Sequence, residues 1–304
     1  MATRFEVVVY GDTEASLRAA GEEALNEIQR IEAQLSLYRP DSEVAHLNAR
    51  AVHEWVRVSP EVFRLLDQAA ELSAQTEGAF DITVAPLVRC WGFMGGTGQR
   101  PGPEAIEQAR QSVGMGLVEL HSENSAVRFR RPGVMLDFGA IGKGYAIDKA
   151  AELLREEGIT SAIIHGGTST AFAIGRPPDQ RVWKIAIEAP PQTENAQPKP
   201  IAVVELHDEA LSVSAAWGKS FVSGGKTFGH IIDPRTGYPA DNADLAAVVL
   251  SSATETDALS TALLTAGAAG QEIITRLRPN VRSLVMKLSP SGIPEVQTRS
   301  IQLL

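Results

Sequence analysis

The sequence contains a single cysteine, Cys90, so no intrachain disulfide forms and no metal site can be built on several thiolates. Such a residue reads as a small core side chain rather than a nucleophile. Long apolar runs are absent as well: Met1-Ala2-Thr3-Arg4-Phe5-Glu6 passes into only a short β-rich stretch, Val7 to Tyr10. Neither a transmembrane helix, which needs ~20 apolar residues, nor the h-region of an export signal fits there, and a cytoplasmic location is the expectation. Positive charge is outnumbered and scattered. With 28 basic against 37 acidic residues the formal net charge is −9, a field that repels nucleic acid and anionic membranes. An anionic ligand would therefore need local neutralisation, by a metal, backbone N–H groups or a few placed cations. Internal repeats of solenoid length are missing too.

What is present suits a soluble globular protein: 304 residues, of which 44% are hydrophobic and 21% charged. That length fits one large mixed domain or two intimately associated halves, since a single core stops growing at roughly 250–300 residues. Residues 5–10 read as a strand, followed by a helix capped by Asp12 or Thr13 that reaches Leu35 through Leu17, Ala20, Ala24, Leu25, Ile28 and Ile31. After a polar stretch, 36–48, a second helix starts at Ser59-Pro60-Glu61 and runs to Thr76, with Gly78 ending it. Residues 79–102 lose periodicity and collect Pro86, Trp91 and several glycines, which fits a segment beside a binding cleft or an ordinary surface loop.

Short strands are then expected at 117–120, 126–129 and 134–138, before a helix over 142–157 that Gly158 terminates. Further strands fall at 161–165, 171–174, 182–187, 201–206, 210–213, 227–232 and 245–250, with a solvent loop at 188–200. A helix over 254–265, a shorter one ending at Leu277 and a last strand at 281–287 complete the chain. The expected class is α+β, mixed sheets with helices.

Four stretches carry groups suited to chemistry. Leu136-Asp137-Phe138-Gly139-Ala140-Ile141-Gly142-Lys143-Gly144-Tyr145-Ala146-Ile147-Asp148 turns from a strand through glycines into a helix. Backbone N–H groups and a helix N-terminus can approach phosphate there because no Cβ intervenes, and Lys143 adds a cation. It is neither a Walker loop nor a Gly-x-Gly-x-x-Gly fingerprint, and a plain tight turn is an equal reading. In Thr254-Glu255-Thr256-Asp257-Ala258-Leu259-Ser260-Thr261-Ala262-Leu263, helical spacing puts Leu259, Ala262, Leu263 and Ala266 on one stripe. Asp257 and Thr261 share the opposite face, which must meet water or a site. As hard oxygen donors they suit Mg²⁺, although such pairs are also common on solvated helices.

Gly229-His230-Ile231-Ile232-Asp233-Pro234-Arg235-Thr236-Gly237-Tyr238-Pro239 is a strand ending in a turn, with Pro234 and Gly237 at turn positions. Histidine titrates near neutrality, so His230 is either a proton acceptor for a hydroxyl nucleophile or a packed strand residue. Ser36-Leu37-Tyr38-Arg39-Pro40-Asp41-Ser42-Glu43-Val44-Ala45-His46-Leu47-Asn48 offers Tyr38 for stacking on a planar ring, or else a loop in which Ser42 caps a short helix.

Together with Gly78-Ala79-Phe80-Asp81-Ile82-Thr83-Val84-Ala85-Pro86-Leu87 and Gly166-Gly167, these stretches resemble the FAD:protein FMN transferase (ApbE) family in content and order, from Ser36 to Thr261. The resemblance implies one flavin transferase domain over 1–304, or two related α/β halves around a central cofactor cleft. It implies Mg²⁺ held by Asp257, Thr261 and a backbone oxygen of Ala140, with FAD as substrate. Tyr38, Glu43, Asn48, Phe80, Asp81, Thr83, Lys143, Asp148, Gly166, Gly167, Thr168 and His230 would line the cofactor cleft, with His230 as base. A Thr or Ser hydroxyl of a target flavoprotein subunit would attack the FMN-side phosphorus and release AMP.

The chain departs from the family pattern in two places. Thr168-Ser169-Thr170 follows the paired glycines where a polar and then an aliphatic residue are usual, and Ser214-Ala215-Ala216-Trp217-Gly218 replaces a Ser-Gly and an aromatic-rich strand. Two rival functions share the same motifs: a protein that binds FAD without transferring anything, and a metal-dependent FAD pyrophosphatase in which water replaces the acceptor.

Overall fold

The computed structural model describes residues 3–190, 199–289 and 291–304. In chain order the helices are α1 (Glu14–Leu35), α2 (Glu43–Arg50), α3 (Pro60–Gln75), α4 (Ala85–Cys90), α5 (Pro103–Arg110), α6 (Gly142–Glu156), α7 (Ala253–Ala266) and α8 (Ala268–Leu277). The strands are β1 (Phe5–Tyr10), β2 (Val56–Arg57), β3 (Val118–His121), β4 (Ala126–Phe129), β5 (Ser161–Gly166), β6 (Thr170–Gly175) and β7 (Trp183–Glu188). They continue with β8 (Pro200–Leu206), β9 (Glu209–Ala215), β10 (Ser220–Ser223), β11 (Lys226–Gly229), β12 (Leu245–Leu250), β13 (Arg282–Leu288) and β14 (Pro294–Arg299). The class is α+β, as the sequence implies. The chain divides into two compact units, one comprising Met1–Glu32, Ile141–Ala215 and Ala243–Leu304, the other Ala33–Ala140 and Ala216–Asn242.

The first unit is built on a seven-stranded sheet in the order β1-β5-β6-β9-β12-β13-β14, antiparallel at every pairing. Its central strands β6 and β12 are continuous apolar runs because both faces are covered. α7 lies against β9 and β12 and also against α6. β7 and β8 pair as a separate ribbon flanking the expected 188–200 loop, of which 191–198 lie outside the described residues.

The second unit carries a three-stranded sheet, β2-β4-β3, and the β10-β11 hairpin. Leu87, Trp91, Phe93, Ile106, Phe228 and Ile232 form an apolar core beneath that hairpin. Ser59 caps α3 by accepting from Val62 N, with Pro60 in the first turn, and Gly78 takes φ +75° after the helix ends.

Several expectations are corrected. Residues 134–138 form no strand, because their backbone is paired with a side chain and a loop instead. Leu136 N donates to Asn48 Oδ1 (2.8 Å), Asn48 Nδ2 donates to Leu136 O (3.0 Å) and Asp137 N donates to Ile82 O. The 79–102 segment is not irregular throughout, since α4 occupies part of it and Trp91 and Phe93 are buried. Ser42 does cap a short helix, α2, through Ala45 N. β11 stops at Gly229, after which only an isolated bridge joins Ile232 to Pro239. Of the α7 face expected to meet water or a site, Asp257 is buried with Thr256 and Ser260 against α6, β9 and β12, and Thr261 is half-buried.

Candidate active site

In the first unit, the glycine-rich turn delivers α6 against the start of α7. A Cβ on Gly144 would lie 2.0 Å from the carbonyl oxygen of Ala253, so only glycine permits this approach. Asp148, one turn further along α6, accepts from Ala253 N (2.8 Å), Thr254 N (2.9 Å), Ser252 Oγ (2.8 Å) and Thr254 Oγ1 (2.6 Å). It thereby satisfies first-turn donors that α7 cannot use internally and sets a negative charge at the positive end of the helix dipole.

The register fixed by this clamp brings Asp257 to Lys143. Nζ lies 2.9 Å from Oδ1 and 3.3 Å from Oδ2, while Gly144 N donates to Oδ2 at 3.0 Å. The Asp257 side chain is 5% exposed and that of Lys143 19%. Thr261 Oγ1 donates to the Asp257 carbonyl oxygen (3.2 Å) and lies 3.3 Å from Ser214 Oγ, which in turn lies 2.9 Å from Ser260 Oγ. Ser212 Oγ continues this seam of hydroxyls to Thr256 Oγ1 and Thr170 Oγ1. A buried polar helix is stable here because its side chains find partners.

Asp257 and Thr261 are hard oxygen donors one turn apart, and a proton directed at the Asp257 carbonyl leaves the Thr261 lone pairs to other partners. The donor set fits Mg²⁺ completed by ligand oxygens. Among the described residues no three His, Cys, Asp or Glu side chains gather as a metal cluster, so such a cation would depend on this sparse set.

In the second unit, His230 follows β11. Its backbone N and its Nδ1 both contact the carbonyl oxygen of Lys219, at 2.9 and 3.0 Å. A carbonyl has no proton to give, so Nδ1 donates, and a neutral ring so held carries its lone pair on Nε2. Lys219 is anchored by Nζ donating to Phe93 O at 3.0 Å.

The turn beyond His230 is held by features that sequence reading missed. Buried Asp233 accepts from Arg235 N, Nε and Nη2 at 2.9, 2.9 and 2.8 Å. That bond and the Asp233 charge hold the guanidinium above its ordinary range, against partial burial. Trp91 Nε1 donates to Gly237 O (2.8 Å) from inside the apolar core. The Asp-x-Arg spacing signals the first contact; nothing local in sequence signals the second. A cavity of about 440 Å³ opens alongside, bordered by Lys226, Phe228, Gly229, Thr236, Tyr238 and Asp241.

The profile of the ApbE family matches residues 1–285. The chain belongs to the ApbE family. The FAD:protein FMN transferase of Haemophilus influenzae is 32% identical over 279 residues, 88% of this chain and 79% of that protein. The ApbE protein of Thermotoga maritima superposes with a TM-score of 0.85 at 29% identity, covering 96% of this chain and 93% of that one. The apo form of the flavinyl transferase ApbE of Pseudomonas stutzeri gives 0.81 at 27% identity, over 98% and 95% of the two chains.

The other positions drawn from the ApbE resemblance divide by unit. In the first, Gly166 sits where a Cβ would meet Ile147 and Phe5 at 3.0 Å, Gly167 takes φ +64°, and Thr168 is exposed. In the second, Phe80 is buried, and Asp81 accepts from Thr83 N, Thr83 Oγ1, Ser73 Oγ and Met115 N. Thr83 Oγ1 in turn accepts from Gly114 N. Glu43 accepts from Ser59 N, Ser59 Oγ and Gln34 Nε2, and Asn48 braces Leu136. These side chains are engaged in scaffold bonds. Tyr38 is 64% exposed, and partial burial together with the nearby Asp137 charge holds its phenol above the usual range. Ala140 lies half-buried in the turn before α6. Among the described residues no helix is long and apolar enough to cross a membrane.

Proposed function

We propose that the chain is an FAD:protein FMN transferase, which moves FMN from FAD to a Thr or Ser hydroxyl of a target flavoprotein and releases AMP. The observation that carries this reading is the Lys143–Asp257–Thr261 constellation at the N-terminus of α6, found in a chain whose relatives bear that name. The single-domain reading over 1–304 is supported by a family profile that runs through both units.

Asp257 and Thr261, with the Ala140 carbonyl, would hold Mg²⁺. Bound there, the cation supplies charge neutralisation to the pyrophosphate, the chief need of phosphoryl transfer. The positive end of α6 and the Lys143 ammonium act on the same anion. His230, fixed by Lys219 in the Nδ1–H tautomer, takes the acceptor proton at Nε2. The hydroxyl oxygen forms a bond to the FMN-side phosphorus as the bond to the AMP oxygen breaks. The product is a phosphoester-linked FMN on the partner.

The transferase and pyrophosphatase readings separate on what accepts the phosphoryl group. AMP release from FAD is measured by chromatography with and without an acceptor protein bearing a Thr or Ser in its flavin site. Release that requires the acceptor supports transfer; equal release without it, yielding free FMN, supports hydrolysis; bound but intact FAD supports a storage protein.

A further inference from the structure

The oxygens of Asp257 that a cation would need are held by an ammonium. Lys143 Nζ lies within 3.3 Å of both, and the pair is largely shielded from water. An ammonium and a cation drawn to the same carboxylate repel each other, and in a shielded site that repulsion makes them competitors. Gly144 N, by contrast, grips Oδ2 from the α6 backbone and need not move. Resting on the Mg²⁺ reading above, we propose that Lys143 and the metal hold Asp257 in turn. Lys143 keeps the buried carboxylate paired and oriented until the cation arrives, then swings on its flexible stem to the pyrophosphate.

The geometry supports this exchange in three ways. Lys143 is the second residue of α6, so its stem stays tethered at the positive end of the helix where phosphate is favoured. Its ammonium is a point charge on four rotatable bonds, easily re-aimed, unlike a planar guanidinium. The Gly144 bond and the Asp148 clamp preserve the position of Asp257 throughout. An ion pair thus replaces an uncompensated buried charge, which would be costly.

The proposal reverses the ordinary expectation for loss of a positioning residue. Removing a partner that merely orients Asp257 would weaken metal binding; removing a competitor strengthens it. Mn²⁺ affinity is measured by electron paramagnetic resonance without FAD, for wild type, Lys143→Met, Lys143→Arg and Asp257→Ala. We expect Lys143→Met to bind Mn²⁺ about 5-fold tighter or more and yet transfer FMN more slowly. Lys143→Arg, with a fork that grips carboxylate more firmly, should bind Mn²⁺ more weakly than wild type. If Lys143→Met fails to fold by circular dichroism, the arginine variant carries the test alone. Unchanged or weaker Mn²⁺ affinity in folded Lys143→Met, or unchanged affinity in Lys143→Arg, overturns the exchange. Unchanged affinity in Asp257→Ala instead overturns the underlying metal site, so the two failures are distinguishable.

Discussion

Replacing Gly144 by alanine tests whether the α6–α7 contact positions the site. In an ordinary helix interior this change is favourable by about 1 kcal/mol, because alanine has the better propensity. Here the added Cβ would stand 2.0 Å from Ala253 O, 2.5 Å from Ala253 C and 2.8 Å from Thr254 N. All three are backbone atoms at the start of α7, so no flexible side chain can yield. Reaching ordinary contact at 3.4 Å requires the helices to part by about 1.4 Å, against the hydrogen bonds of Asp148. Overpacking of this kind costs about 1–3 kcal/mol even after relaxation. A displacement of about 1 Å at Asp257 is enough to slow chemistry ~100-fold. Urea unfolding and single-turnover FMN transfer provide the two readouts. A Gly144→Ala protein as stable as wild type or more so, with an unaltered transfer rate, would refute the reasoning.

Further outcomes follow from particular contacts. Asp148→Ala should lose about 2 kcal/mol in urea unfolding, since it strands donors in the first turn of α7; FAD binding should weaken with it. Trp91→Phe removes the bond to Gly237 O and should cost about 1–2 kcal/mol, slowing transfer while FAD affinity, read by fluorescence, holds. Burial depresses the pKa of His165, opposed by the Glu6 charge. The folded protein therefore resists protonation, and stability present above pH about 6.5 is lost as pH falls through the depressed value. Thermal melts across that window should show a shallower acid decline for His165→Asn.

Much of the scaffold was legible because its signals are local. Ser59-Pro60 marks the start of α3, Gly158 the end of α6, and the apolar run Leu245–Leu250 a strand covered on both faces. β14 went unread because it is mostly polar and exposed, and β10 because it is short. Residues 134–138 look like a strand in composition, but their partner is the amide of Asn48, 88 residues away. The motifs at Lys143, His230 and Asp257 were visible, yet their contacts were not. Lys143 and Asp257 are 114 residues apart, and helical periodicity alone left Asp257 facing either water or a site. The hydroxyl seam that lets α7 be buried is formed by strand residues such as Ser212 and Ser214, which no pattern within α7 announces.

The most direct test of the central claim is the intact mass of a candidate acceptor flavoprotein after incubation with FAD, Mg²⁺ and either wild-type protein or Asp257→Ala. The account predicts an FMN adduct on the acceptor with wild type, abolished by EDTA and absent with Asp257→Ala. An adduct formed equally well by Asp257→Ala, or one indifferent to EDTA, would contradict it.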